Sequence, residues 1–277
     1  MQSVIEILSK CENFFAAKGV PNPKLDAQIL LAKALGCKRL DLFLRFEEPV
    51  AEKPLDEFRE YVRRRAKREP LQHIIGTVDF AGITLKCDAR ALVPRHETEE
   101  LCDIVIQKFQ NKKDDALKIL DLGTGSGAII LALKNAFPNS ACTGVDASDA
   151  ALALAKENAE LTALDVNFIK SDWFENVNGK FDIIVSNPPY LTDAEVANAE
   201  SEVKDFDPPA ALASPENGLR DLRKIIKQAP DFLEANGLLA LECGLEQPAT
   251  LKAENPHLES EIICDASRRA RFLLLQI

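Results

Sequence analysis

The sequence predicts an α/β protein: a mostly parallel, seven-stranded sheet covered by helices on both faces, preceded by a small helical bundle and a β-hairpin connector. Three observations carry this. From Ala116 onward, seven short β-rich stretches alternate with helical segments, the pattern of parallel strands joined by crossover helices. Before residue 70, apolar residues recur at helical spacing between helix start and stop signals. The chain has 277 residues, 46% apolar and 28% charged, enough to bury a core without staples and to form one large unit or two smaller ones.

In the helical front, Ser3-Val4-Ile5-Glu6 reads as a capping box and Gly19 as a stop. Asn22-Pro23 reads as an N-cap and first helical position, and Gly36 closes that helix; Leu25, Ile29, Ala32 and Leu35 are expected to share one of its faces. A third helix is expected from about Pro54 to Arg68, with Leu55, Phe58 and Val62 on one side. Glu69-Pro70 ends it, because the residue before proline resists helical geometry. This front occupies residues 1–70. Residues 71–95 are a connector, in which Gly76, Gly82, Thr77 to Phe80 and Ile83 to Cys87 suggest a hairpin. A helix follows from Glu97 to about Gln110, with Leu101, Ile104, Val105 and Lys108 at helical spacing. The expected strands are Lys118–Leu122, Ala141–Asp146, Val166–Lys170, Phe181–Ser186, Gly237–Glu242, Ser260–Cys264 and Arg271–Ile277. The last two, with little between them, suggest an antiparallel edge hairpin.

Composition excludes whole classes of function. Forty-four acidic against 34 basic side chains give a net charge of −10, a surface that repels phosphate backbones on average. Seven scattered cysteines without C-x-x-C fit reduced thiols in a cytosol. Three histidines without ligand spacing argue against a zinc site. No apolar run is long enough to span a bilayer, and Met1 to Lys10 lacks a signal-peptide pattern.

Two stretches carry chemistry. Ile119-Leu120-Asp121-Leu122-Gly123-Thr124-Gly125-Ser126-Gly127-Ala128 is an apolar strand, a glycine-rich turn and the start of a helix. Ligands of open α/β sheets bind at the carboxyl ends of such strands, and glycine lets the backbone approach them. Asp146 ends the next strand, 21 residues after Gly125, where an acid can hold both hydroxyls of a ribose. This pattern does not choose between NAD and S-adenosylmethionine. The second stretch, Ile183-Ile184-Val185-Ser186-Asn187-Pro188-Pro189-Tyr190, is a buried-type strand running into a stiff corner. Such a corner suits a planar –NH2 group: the Asn187 side-chain oxygen and the Pro188 carbonyl accept its two N–H bonds, and Tyr190 stacks on its flat face.

These motifs together resemble class I S-adenosylmethionine-dependent methyltransferases that modify a planar nitrogen. Further segments resemble the HemK/PrmC family of peptide chain release factor glutamine methyltransferases: Glu69 to Gly76, Val93-Pro94-Arg95-His96-Glu97-Thr98-Glu99, Ser171-Asp172-Trp173-Phe174, Asp207-Pro208-Pro209-Ala210-Ala211-Leu212 and Glu242-Cys243-Gly244. The resemblance runs from about residue 60 to the end, and the helical front fits less specifically. His73, His96 and the lack of a glycine in Asp265 to Arg271 depart from the family pattern.

The resemblance implies a class I methyltransferase domain over residues 96–277, Rossmann-like, behind a substrate-binding helical domain. It implies methyl transfer from S-adenosyl-L-methionine to N5 of the glutamine in the Gly-Gly-Gln loop of a release factor, in the cytoplasm. Gly123, Thr124, Gly125, Ser126, Gly127, Asp146, Trp173 and Asn187 match the family's cofactor contacts, and Asn187, Pro188, Pro189 and Tyr190 its substrate-amide pocket. No metal is expected, since the leaving group is already good. With no strong base near the corner, catalysis is expected mainly from orientation, with Asp121, Asp146 and Asp172 candidates for an acidic wall facing the sulfonium.

Two charge runs are read more plainly. Arg59 to Arg68, six bases and one acid, is expected to be a solvated helix face rather than a partner surface. Leu191 to Asp207, six acids and one lysine, reads equally as a mobile lid or as a solvated helix and loop. The main rival function is amino-methylation of a DNA adenine or ribosomal base. It predicts a basic cleft and an added recognition domain, so nucleic acid is not the expected substrate. An NAD-dependent oxidoreductase leaves Asn-Pro-Pro-Tyr unexplained, and an intact corner argues against a non-catalytic binding module.

Overall fold

A computed structural model describes residues 2–276; Ile277, the last residue of the expected final strand, lies outside the described residues. The chain divides into two compact units: Met1–Gly76 with Glu200–Phe206, and Thr77–Ala199 with Asp207–Ile277.

The first unit holds α1 (Val4–Ala17), α2 (Pro23–Leu35), α3 (Glu52–Arg65) and α4 (Leu71–Ile75), with a 3-10 turn at Arg39–Leu44. The ends of α1 and α2 follow the expected signals, whereas α3 starts at Glu52 and stops at Arg65, short of the expected Arg68. The Glu6 carboxylate accepts the Ser3 N–H at 3.1 Å, and Gly36 closes α2 in the left-handed region at φ 62°. The buried stripe of α2 differs from expectation. Ala27, Leu30 and Leu31 face the core, whereas Leu25 is 42% exposed. Neighbouring Asp26 explains the choice: it turns inward to Arg65, 2.7 Å away, with both side chains buried. A buried charge needs its partner, so this pair helps set the rotation of the helix.

Arg65 also meets Glu202 at 2.8 Å, and Arg68 meets the same carboxylate. The basic run is therefore only in part the solvated face expected: Arg59, Arg63 and Lys67 are exposed. Arg65 is buried, Arg64 pairs with Glu69, and Arg59 with Glu52 and Asp56. Nor is the acidic run wholly solvated, because Glu202, in the short helix α9 (Ser201–Lys204), lies in this cluster. A count of charges along the chain cannot show that the two runs neutralise one another.

The second unit begins with the hairpin β1 (Thr77–Phe80) and β2 (Ile83–Lys86), followed by α5 (His96–Lys108). The sheet comprises β3 (Lys118–Leu122), β4 (Ala141–Asp146), β5 (Asn167–Lys170), β6 (Phe181–Ser186), β7 (Leu233–Glu242), β8 (Glu259–Cys264) and β9 (Ala270–Gln276). Their order is β5-β4-β3-β6-β7-β9-β8. Five strands are parallel, and β9 pairs antiparallel with β7 and β8. The remaining helices are α6 (Ala128–Ala136), α7 (Asp149–Thr162), α8 (Asp193–Asn198), the short turn α10 (Pro215–Gly218), α11 (Arg220–Phe232) and α12 (Gln247–Glu254).

Alternate strand residues feed two cores. Ile119, Ile183 and Val185 pack with α5 and α6 residues, and Leu120, Leu122 and Ile184 with those of α11. The missing glycine of the closing hairpin has a structural counterpart. Arg268 takes φ 63°, and the turn is held by Asp265, which accepts N–H bonds from Arg268 and Arg269.

Candidate active site

Three strand ends converge. β3 lies between β4 and β6, with Leu122 in register with Val145 on one side and Ser186 on the other. The strand order reverses direction here, which is where open α/β sheets leave a crevice. The Ser186 hydroxyl donates to the Leu122 carbonyl at 2.7 Å. The glycine turn, Asp146 and Asn187 therefore leave the sheet side by side.

In the glycine turn, Gly123, Gly125 and Gly127 adopt φ of 70°, 55° and 82°, conformations that side chains resist. Thr124 and Ser126 turn into the protein and are buried. The Thr124 hydroxyl donates to Asp121 at 2.6 Å. Asp121 is fully buried; burial pushes its carboxyl up to about 7, against the bond from Thr124. Asn158, also fully buried, accepts the Lys86 N–H and donates to the Ser126 carbonyl. It ties the turn to the β2 strand.

Asp146 accepts the Gly125 N–H at 2.9 Å with one oxygen and the Ser148 N–H at 2.8 Å with the other. Each carboxylate oxygen retains a lone pair. Trp173, itself at φ 52°, lays its ring edge 3.5 Å from where a Cβ on Gly123 would stand. Of the three acids expected to face a sulfonium, Asp121 is buried behind the turn, and Asp172 is exposed and paired with Lys224 at 3.0 Å. Asp146 alone lies at the turn with part of its surface open. A glycine cradle that any side chain would fill, with an acid holding its rim and an indole against it, fits an adenosyl ligand.

The corner is held from several directions. The Asn187 Nδ2 group donates to the Thr98 hydroxyl oxygen at 3.0 Å. The Thr98 hydroxyl donates to Glu242 Oε2 at 2.8 Å, and the Tyr190 hydroxyl donates to Glu242 Oε1 at 3.0 Å. Glu242 is 2% exposed; burial pushes its carboxyl upward and the bonds from Thr98 and Tyr190 oppose this. Burial likewise raises the Tyr190 phenol, with the Glu242 charge acting in the same direction. The Arg271 guanidinium lies 5.9 Å from the centre of the Tyr190 ring. The Tyr190 carbonyl accepts a bond from Gln247 at 2.8 Å and would lie 2.0 Å from a Cβ on Gly218, which takes φ 79°. Pro188 is buried, and Pro189 is half-buried.

Val93-Pro94-Arg95-His96 is sorted by the fold. Arg95 stands at the N-cap position of α5, and its side chain pairs with buried Asp207 at 2.6 Å. His96 is exposed beside Glu99. Thr98 and Glu242 belong to the corner, yet nothing in their spacing signals it. Both fall inside segments that carry the family resemblance, which is the one trace they leave in the sequence.

Residues 6–76 match the family model described as PrmC N-terminal domain, and residues 96–203 the Methyltransferase small domain. A curated release factor glutamine methyltransferase of Deinococcus radiodurans is 38% identical over 97% of this chain and 96% of its own. One from Geobacter sulfurreducens is 37% identical over 90% and 87%. The chain belongs to the release factor glutamine methyltransferase family.

Among solved structures, the hMettl16 catalytic domain bound to a MAT2A 3′UTR hairpin aligns with a TM-score of 0.58 at 17% identity, covering 77% of this chain and 81% of that one. The 16S rRNA N2 G1207 methyltransferase of T. thermophilus, in complex with AdoMet and guanosine, aligns at 0.51 and 18%, over 72% and 49%. At such identities these two show the fold that the family shares with other methyltransferases. Among the described residues, no helix is long and apolar enough to cross a membrane.

Proposed function

We propose that this chain transfers the methyl group of S-adenosyl-L-methionine to N5 of the glutamine in the Gly-Gly-Gln loop of a peptide chain release factor, in the cytoplasm. The observation that carries the reading is the placement of the amide-shaped corner, Asn187 to Tyr190, on the strand next to the glycine turn, with Asp146 on the strand beyond.

Gly123 to Gly127 take the methionine and ribose end, Asp146 accepts from the ribose hydroxyls, and Trp173 and Asn187 complete the cradle. Thr124 and Ser126 contribute backbone, because their side chains are buried. When bound, the cofactor supplies a methyl group on a sulfonium, an electrophile with a good leaving group. The chain's own residues orient the nucleophile. Asn187 Oδ1 and the Pro188 carbonyl accept the two N–H bonds of the substrate amide, the Tyr190 ring stacks on its plane, and the lone-pair direction is fixed. Such orientation supplies up to about 7–11 kcal/mol of a barrier.

The test mixes the protein and radiolabelled S-adenosylmethionine with a purified release factor, its Gly-Gly-Ala variant, DNA and ribosomal RNA. Label on the wild-type factor alone is expected. Label on nucleic acid instead would keep the cofactor and overturn the substrate.

A further inference from the structure

Asn187 serves the proposed reaction only in one of its two amide orientations. With Oδ1 toward the substrate it accepts an N–H bond; flipped, it presents N–H to N–H. Nothing in Asn187 selects between them, because the two ends of the amide have nearly the same shape. The selection comes from outside the motif. In the carboxylate form, which the bonds from Thr98 and Tyr190 favour against burial, Glu242 only accepts hydrogen bonds, and a threonine hydroxyl has one proton to give. Thr98 gives that proton to Glu242 Oε2 at 2.8 Å. The Thr98 oxygen then only accepts, so the group facing it at 3.0 Å is the Asn187 –NH2. Oδ1 is left for the substrate. The other oxygen of Glu242 accepts the Tyr190 hydroxyl at 3.0 Å, which fixes the ring that stacks on the substrate amide. Glu242 sits at the carboxyl end of β7, and Thr98 lies in the first turn of α5.

We propose that Glu242 is a positioning residue of the reaction, setting the Asn187 amide orientation through Thr98 and the Tyr190 ring through its hydroxyl. The proposal rests on the reading of Asn187 to Tyr190 as the amide-holding corner.

The experiment measures kcat and KM for a release factor, at saturating S-adenosylmethionine, in the full chain. Thr98→Val keeps the side-chain shape and removes the hydrogen-bond relay. It is expected to lower kcat about 10- to 100-fold, the scale of a small misplacement at the reacting centre, with KM and melting temperature little changed. Thr98→Ser, which restores the hydroxyl, is expected to recover most of the rate. Glu242→Gln, which cannot accept from both hydroxyls in the same way, is expected to fall with Thr98→Val; it carries the test if Thr98→Val does not fold. In an Asn187→Ala background, Thr98→Val is expected to cost little more, because the group it orients is gone.

Thr98→Val at near-normal kcat, or the same fold-loss with and without Asn187, would overturn the proposal while leaving the corner's role standing. Near-normal turnover by Asn187→Ala alone would instead remove the reading of the corner, and this proposal with it.

Discussion

The glycine turn and the Asn-Pro-Pro-Tyr corner occupy the ends of adjacent strands and are built in opposite ways. The turn presents its backbone. Its glycines hold positive φ, and its two polar side chains, Thr124 and Ser126, are turned inward. The corner presents side chains, and these are hydrogen-bonded to residues far away in sequence, Thr98 and Glu242. A backbone site depends on local conformation and on strand register. A side-chain site depends on packing among α5, β7 and the corner, so a change at a distance reaches it.

The sharpest way to break this comparison is Asn187→Ala. A loss of about 100- to 1,000-fold in kcat is expected, the scale for removing one preorganised polar contact to the reacting group, with an unchanged fold by circular dichroism. Retained turnover would mean that the corner does not hold the amide by its side chains.

Gly218→Ala asks how rigidly the corner's backbone is fixed. The added Cβ would meet the Tyr190 carbonyl at 2.0 Å at a residue of positive φ. A cost of about 2–4 kcal/mol in denaturant unfolding is expected, with activity lost beyond the loss of folded protein. Wild-type stability would show that this loop yields easily.

Asp146→Ala addresses the turn. The carboxylate anchors the Gly125 and Ser148 N–H groups, so both the acid and the shape of the cradle suffer. Calorimetry is expected to give cofactor binding about 10- to 100-fold weaker, the worth of one or two charged hydrogen bonds. At saturating cofactor, kcat should hold near wild type. A kcat loss with unchanged affinity would move Asp146 from binding to chemistry.

The smallest effect concerns Asp121 beneath the turn, raised by burial from 3.8 to about 7. The folded state holds its proton more tightly than the unfolded chain. Its contribution to stability is therefore full below pH 3.8 and declines as pH rises to about 7. Asp121→Asn removes that decline, so the stability of the variant relative to wild type is expected to rise across this window and level off above it. A pH-independent difference between the two, by urea unfolding, would place the carboxyl near its ordinary range.

Much of the architecture was legible in the chain. The bounds of β3, β4 and β6 agree with the expected Lys118–Leu122, Ala141–Asp146 and Phe181–Ser186, because buried parallel strands are short apolar runs with sharp turn signals at both ends. The antiparallel closing pair was legible because little chain separates its two strands. α4 escaped: Leu71–Ile75 is a short helix within a segment expected to be part of a connector, since five residues carry too little periodicity to read. The rotation of α2 escaped as well, because it depends on Asp26 finding Arg65, 39 residues away.

By itself, then, the sequence determined the strand-and-turn grammar: the glycines, the acid that ends β4 and the proline corner after β6. These are properties of local backbone and spacing, written within a few residues of where they act. Tertiary structure alone decided which polar groups face each other. It turned Asp121 inward, paired Asp172 with Lys224, joined the basic run to Glu202, and brought Thr98 and Glu242 to the corner. A buried polar group must be satisfied by some partner, and only the packing of distant elements determines which one it meets.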